Sequence, residues 1–458
     1  MLESAIFKAY DIRGIYPSEL DEAGAYKIGR AYAQWLEPVS VAVGRDMRTM
    51  AESVQAELIR GLVDEGVRVI DIGLVATEVL YHAVASQEHD GGIMVTASHN
   101  PAEYIGMKVV RRGALPVGLD TGLDKVRDIA LRTDWDAQPV RDGGSVEQVD
   151  VLPSWQERVL GFMDPSKIGP MKVVLDAGNG IGGAMFEPLL RAMPNLEVHT
   201  YNFTPDGTFP NHEPNPLLEE NRQFIIDKVR EHGATMGIAW DGDADRCFFI
   251  DETGEFVPGD FTTALIAKQE LQRNPGATIL YDVRASRAVA DTITECGGTP
   301  IASRVGHAFI KQRMRKEDAA FAGEVSGHYY FRDYYGVDTG IVPALIMLQL
   351  VSESGGSLAS LLAPLRDRYF LSGEINSRVE DVPMKLQQLK EQYRDARISH
   401  VDGVSVDYDD WHFNVRPSNT EPLLRLCLEA YTQDAMEQRR DEVLGLIRSE
   451  STERIGMV

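Results

Sequence analysis

Residues 39–46 read VSVAVGRD, an apolar, β-branched run that ends on an acid. A helix-period segment, Ala51–Glu65, and a second apolar run, VRVIDIG, follow it. The pattern recurs twice. MKVVLDAGNG ends its strand on Asp176 and leads to AMFEPLLRAM and LEVHTYNF, and ATILYDVRAS has Asp282 in the same place ahead of AVADTITECGG and TPIASRVG. Apolar strand-like runs alternating with helix-period segments predict βαβ units and mainly parallel sheets. Any α/β protein repeats strand and helix, but an acid at the same point of each copy favours three copies of one domain type. After about Arg368 the pattern changes to β-like segments, SVDYDDWHFNVRP and LLRLCLEAYT, and a final amphipathic helix from Asp434 to about Arg448. The expected architecture is three similar mixed α/β domains, 1–150, 151–253 and 254–367, and a C-terminal α+β domain, 368–458.

A length of 458 residues agrees with three or four domains, and 43% hydrophobic with 25% charged residues is ordinary for a globular chain. The net charge of −24 argues against nucleic acid or an anionic membrane as a general partner. An anionic substrate would need a local pocket of Arg and Lys working against that field. Cys247, Cys296 and Cys427 are scattered and odd in number, with neither a disulfide framework nor zinc spacing. The N-terminus has no secretory pattern, and the longest apolar run, residues 341–351, is too short to span a bilayer. A cytoplasmic protein, monomer or weak homodimer, is expected.

Four polar loops carry candidate chemistry. WDGDADR, residues 240–246, lies between the strand-like ATMGIA and CFFID. Acids at alternate positions put oxygen ligands on one side of an extended loop, which suits a hard cation such as Mg²⁺. A solvated acidic turn is the simpler reading, although three neighbouring carboxylates repel one another unless something neutralises them. An EF-hand would place Glu252 at its twelfth position, but Arg246 stands where that loop needs Gly, and strands flank it where helices belong. TASHNPAEYIGMK, residues 96–108, interrupts two strand-like runs. Its Asn100-Pro101-Ala102-Glu103 has the residues of a helix start, which would aim free N–H groups near Ser98 and favour a phosphate there. Ser98 is then either a turn residue or a nucleophile. It is not expected to pair with His99, since adjacent side chains rarely face each other. GEVSGH, residues 323–328, offers an acid, a hydroxyl and an imidazole to sugar hydroxyls, or is a surface turn. RPSNTEPLLR, residues 416–425, holds two guanidiniums, hydroxyls and an amide, suited to a phosphate dianion or to a structural ion-pair loop.

In this order TASHNP, DGDADR, GEVSGH and RPSNTEP resemble the four loops of the α-D-phosphohexomutases, closest to the bacterial phosphomannomutase/phosphoglucomutase group. FKAYDIRG (7–14), VGRDMR (43–48), PDGTFPNHEPNP (205–216) and RVGHAFIK (304–311) extend the resemblance over nearly the whole chain. The resemblance implies four domains around a central active-site cleft. It implies Ser98 carried as a phosphoserine and Mg²⁺ bound by Asp241, Asp243, Asp245 and the Ser98 phosphate. Glu324, Ser326 and His328 would recognise sugar hydroxyls, and Arg416, Ser418, Asn419, Thr420 and Arg425 the phosphate not being transferred. Tyr10, Arg13, Lys108, Arg246 and His307 match further cleft positions, with Lys108 and His328 as candidates for proton transfer. A hexose 1,6-bisphosphate would be the bound intermediate and activator.

Three positions depart from the family's pattern. Ile105 stands where Asn is usual, Arg284 where close relatives carry Lys near the substrate, and Val325 where Met is usual. Asn419 and His328 lean toward mannose and glucose phosphates rather than glucosamine phosphate. A single-sugar phosphoglucomutase, a phosphoglucosamine mutase, a metal-dependent sugar-phosphate phosphatase and a non-catalytic calcium- or sugar-phosphate-binding module are the competing readings.

Overall fold

A computed structural model describes residues 2–132, 134–417 and 423–449. The chain forms two compact units, Met1–Gly259 with Lys311–Leu361, and Asp260–Ile310 with Leu362–Val458.

In the first unit, one sheet runs in the order Ile12–Ile15, Tyr104–Arg111, Gly91–Val95, Ser40–Arg45, Arg68–Leu74, Ser145–Gln148. The last four strands are parallel, as expected, but the first two are antiparallel to their neighbours, so "mainly parallel" needs correction. The cause is local: only the short loop 96–103 joins Gly91–Val95 to Tyr104–Arg111, and parallel pairing would need a full crossover. A second sheet repeats the mixture. Leu196–Tyr201, Met171–Asp176 and Met236–Trp240 are parallel, then Cys247–Asp251 turns back antiparallel. Phe321–Gly323, Tyr329–Phe331 and Val337–Asp338 form an antiparallel meander.

In the second unit, Thr278–Asp282 and Thr299–Ser303 pair in parallel. The C-terminal sheet, in the order Phe370–Arg378, Leu423–Ala430, Trp411–Pro417, Val404–Asp407, Arg397–Ser399, is wholly antiparallel. The helix Gln433–Arg448 packs on its first two strands.

The acid that recurs in the sequence has one physical role in all three copies. Asp46, Asp176 and Asp282 are buried at or just beyond a strand's end, and each accepts the backbone N–H two residues on, at 3.0, 3.0 and 2.8 Å. Such Asx turns bend the chain out of the sheet. A buried carboxylate also needs a cationic or donor partner. Arg48 lies 3.4 Å from Asp46, His212 2.9 Å from Asp176, and Arg284 2.8 Å from Asp282.

The apolar run at 341–351 is a core helix, Ile341–Glu353, buried along nearly its whole length. No single helix among the described residues is long and apolar enough to cross a membrane. Its first turn leaves backbone N–H groups without intrahelical partners. The buried Glu78 meets part of that need, accepting from the Gly340 and Ile341 amides at 2.9 and 3.1 Å and from Thr339 Oγ1 at 2.6 Å, while Val342 N donates to Thr339 Oγ1 at 3.1 Å. The other Glu78 oxygen accepts from Trp155 Nε1 at 3.0 Å. One carboxylate thus ties residues from three distant stretches of the chain. Replacing it with Ala leaves four buried donors unmet, so Glu78→Ala should lose about 3–5 kcal/mol of stability in urea unfolding, with Glu78→Gln losing less.

Candidate functional site

The loop Asp241–Asp245 closes the hairpin between Met236–Trp240 and Cys247–Asp251. Asp241, Asp243 and Asp245 are buried, and each offers an oxygen within 4.8 Å of the others. Ala244 takes a positive φ of 59°, uncommon for a residue with a Cβ, to complete the turn. Glu252 is no part of this cluster; it caps Ser357 and Ala359, which removes the EF-hand.

Charge on this loop is balanced by Arg246 at its own end and by groups from outside it. Lys108 Nζ donates to Asp243 Oδ2 at 2.6 Å and also to Asp245 Oδ2. Arg246 Nε lies 3.7 Å from Asp241, and Thr77 Oγ1 donates to Asp243 Oδ2 at 2.5 Å. Burial, with the charges of Asp245 and Asp243, still holds the Asp241 carboxyl well above its ordinary range. Burial opposes the charge on Lys108 too, but the two carboxylates outweigh it and keep the ammonium protonated. Asp243 Oδ1 and Asp245 Oδ1 are buried with no hydrogen-bond partner among the described residues. Three hard oxygen donors with spare acceptor capacity fit a divalent cation of the Mg²⁺ type.

Ser98 sits against this cluster. Its Oγ donates to Asp241 Oδ2 at 3.0 Å, and the residue is 2% exposed. The expected helix start at Asn100–Glu103 is absent. Tyr104 N bonds Pro101 O at 3.1 Å in a turn, and the next strand begins at Tyr104. The loop is instead held by its carbonyls. The buried Arg48 guanidinium donates to the carbonyls of Ser98, Asn100, Pro101 and Tyr104 at 2.7–2.9 Å. Asn100 Oδ1, read as a helix cap, accepts from Arg13 at 2.5 Å. The expectation about His99 also needs correction. Ser98 adopts φ +50°, which turns the two side chains together, and His99 Nδ1 lies 3.2 Å from Ser98 Oγ. Burial, then Arg246 and Arg13, holds that imidazole neutral. Ile105 is explained by the strand: it is fully buried, pairs with Gly14 and packs in the hydrophobic core, where an amide would be unsatisfied.

The loop Gly323–His328 joins the same cluster. His328 forms a bridge with Arg246, whose Nε lies 3.2 Å from His328 Nε2. His328 Nδ1 faces Ser326 Oγ at 2.9 Å and Glu324 at 3.4 Å, and its Nε2 lies 3.6 Å from Asp245. Burial and the neighbouring Arg246, Lys108 and Lys311 keep this imidazole neutral. Behind it stands a pair the sequence did not single out, Lys311 with Asp338 at 2.7 Å, whose ammonium also bonds Tyr81 at 3.0 Å. Three of the four polar loops therefore meet in the first unit. Tyr10 precedes its Ile12–Ile15 strand, and Arg13, on that strand, is also paired with Asp11.

The fourth loop belongs to the second unit. Arg416 and Arg425 are directly opposite one another on paired antiparallel strands. Glu374 lies 3.6 Å from Arg416, 3.1 Å from Arg425 and 3.1 Å from Arg284. Arg416 Nε and Arg425 Nε are buried without an acceptor among the described residues. Ser418, Asn419 and Thr420 lie outside the described residues. His307 opens the helix His307–Lys316.

Arg48, Thr77 and Glu374 escaped the sequence reading. Only Arg48 left a trace, inside VGRDMR; Thr77 and Glu374 stand in stretches with no motif.

Comparison with known proteins gives this geometry a family. Phosphoglucomutase/phosphomannomutase domain models match residues 4–136 (alpha/beta/alpha domain I), 154–254 (domain II), 258–369 (domain III) and 374–446 (C-terminal domain). A Vibrio cholerae phosphomannomutase is 42% identical over 98% of this chain and 99% of its own length. A Xanthomonas campestris phosphohexose mutase is 42% identical over 96% and 99%. A crystal structure of a phosphoglucomutase/phosphomannomutase family protein from Burkholderia thailandensis superposes with a TM-score of 0.88 at 33% identity, covering 97% of this chain and 98% of that one. With three α/β domains and a distinct C-terminal domain, the chain belongs to the phosphoglucomutase/phosphomannomutase family of α-D-phosphohexomutases and is a hexose-phosphate mutase.

Proposed function

We propose that this mutase interconverts the 1- and 6-phosphates of mannose and of glucose, with Ser98 as the phosphoryl carrier. The observation that carries the reading is Ser98 Oγ, 3.0 Å from Asp241 in a buried triad of carboxylates. The sugar assignment rests on the relatives named phosphomannomutase.

The family is Mg²⁺-dependent, and Asp241, Asp243 and Asp245 would hold the ion with an oxygen of phosphorylated Ser98. Bound there, Mg²⁺ supplies charge neutralisation to the phosphoryl oxygens. The chain's own residues supply the rest. The P–Oγ bond of phosphoserine 98 breaks as a bond forms between phosphorus and the free hydroxyl of the hexose monophosphate, whose proton leaves to a nearby base. Reversal at the other end of the bound 1,6-bisphosphate restores phosphoserine and releases the isomeric monophosphate. His328 is assigned the proton, which its Nε2 takes in exchange for the contact it accepts from Arg246 Nε in the resting site. Lys108, held cationic, and Arg246 balance the anionic oxygens. Glu324 and Ser326 flank the imidazole and would hold sugar hydroxyls. Tyr10, Arg13 and His307 would contact the substrate. Arg416 and Arg425, with Ser418, Asn419 and Thr420 of the same loop, take the phosphate not being transferred. Arg284, tied to Asp282 and Glu374, contributes charge to that clamp.

Coupled assays on mannose 1-phosphate, glucose 1-phosphate and glucosamine 1-phosphate test this reading. Turnover of the first two is expected, and Ser98→Ala should lower it by roughly 1,000-fold or more. Wild-type rates in the mutant would overturn the assignment. Steady release of free phosphate would mark a phosphatase.

Arg48 has a separate expected signature, because Lys cannot present a planar fork to four carbonyls. Arg48→Lys should lower kcat by roughly 10- to 100-fold with little change in KM. It should also lower stability by about 1–3 kcal/mol in urea unfolding. Unchanged kcat would show that the loop holds its shape without the guanidinium.

A further inference from the structure

Glu374 occupies the middle of the arginine cluster, and the backbone is deformed to put it there. The pairing of Phe370–Arg378 with Leu423–Ala430 shifts register between Leu371 and Glu374, and Gly373 within the shift takes φ +67°. Bulges of this kind re-aim a side chain. Arg416 and Arg425 oppose each other directly across their strands, an arrangement that like charges destabilise. Arg284 brings a third guanidinium, with Asp282 as its own partner.

With Glu374 present, three guanidiniums face two carboxylates and one positive charge stays unmatched. Without it the surplus is two, which equals the charge of a phosphate dianion. Burial pushes the Glu374 carboxyl up, but Arg284, Arg416 and Arg425 together pull it below its ordinary value, so it is ionised at neutral pH. Its oxygens accept from Arg284 and Arg425 at 3.1 Å, using donors that a phosphate oxygen would use.

We propose that Glu374 is the clamp's resident anion. It holds the guanidiniums together when no phosphate is bound, and it competes with the phosphate once one arrives. This rests on the reading of Arg416 and Arg425 as a phosphate clamp. The competition has a purpose in a mutase, since a bound bisphosphate must surrender one phosphate from the clamp and present the other. A fully charge-matched clamp would bind substrate and intermediate alike more tightly without favouring the transition state.

The test is calorimetric titration of the full-length protein with inorganic phosphate and with glucose 1-phosphate, beside steady-state kinetics, for wild type, Glu374→Gln, Glu374→Asp and Arg425→Gln. The expected result is about tenfold tighter binding of both ligands by Glu374→Gln, with KM and kcat both lowered. Glu374→Asp, whose carboxylate is drawn back by one methylene, should fall between it and wild type, and it decides the question if Glu374→Gln fails to fold. Arg425→Gln should bind both ligands more weakly. Weaker or unchanged binding in the Glu374 variants, with weaker binding in Arg425→Gln, would overturn the proposal and leave the clamp standing. Undiminished binding in Arg425→Gln would remove the clamp and the proposal with it.

Discussion

Three carboxylates buried on one hairpin loop, with oxygens inside 4.8 Å of one another, are the arrangement around which the first unit is organised. Water is excluded there, so their repulsion is only weakly screened and every neighbour must answer it. Lys108 comes from the strand Tyr104–Arg111, Thr77 from the start of the helix Thr77–Ser86, and Arg246 from the loop itself. Each element has to be correctly placed before the acids can be buried. Arg246 then reaches His328, which places the loop Gly323–His328, and Asp241 receives Ser98. The polypeptide's cations balance the cluster only in part, since Asp243 Oδ1 and Asp245 Oδ1 remain without a hydrogen-bond partner among the described residues. A protein that leaves such atoms buried has built a place for an ion.

The second unit solves the opposite problem. There, guanidiniums converge and a carboxylate keeps them together. Both sites therefore rest with a counter-charge from the chain itself, Lys108 among the acids and Glu374 among the arginines. Each counter-charge offsets the repulsion of the like charges gathered around it.

Much of this was legible in the sequence because it depends on local order. Alternating acids between two apolar strands fixed the hairpin loop before any contact was known, and the repeated Asp marked real Asx turns at Asp46, Asp176 and Asp282. The failures share a cause. Asn100-Pro101-Ala102-Glu103 has the residues of a helix start, but the strand resumes at Tyr104 and Arg48, half a domain away in sequence, claims the loop's carbonyls. Local propensity lost to a tertiary hydrogen-bond set. Ile105 looked like a lost polar contact only because its burial in the sheet was invisible. Thr77 and Glu374 could not be found at all, since nothing near them in sequence hints that they meet Asp243 or the arginines.

Metal binding decides whether the acid cluster is a divalent-cation site completing a phosphoryl-transfer centre at Ser98. Titration of the full chain with Mn²⁺, followed by loss of the free-ion paramagnetic resonance signal, should show saturable binding that Asp243→Asn abolishes or greatly weakens. Binding undiminished in that variant, or no saturable binding in the wild type, would mean that the acid cluster is not a cation site.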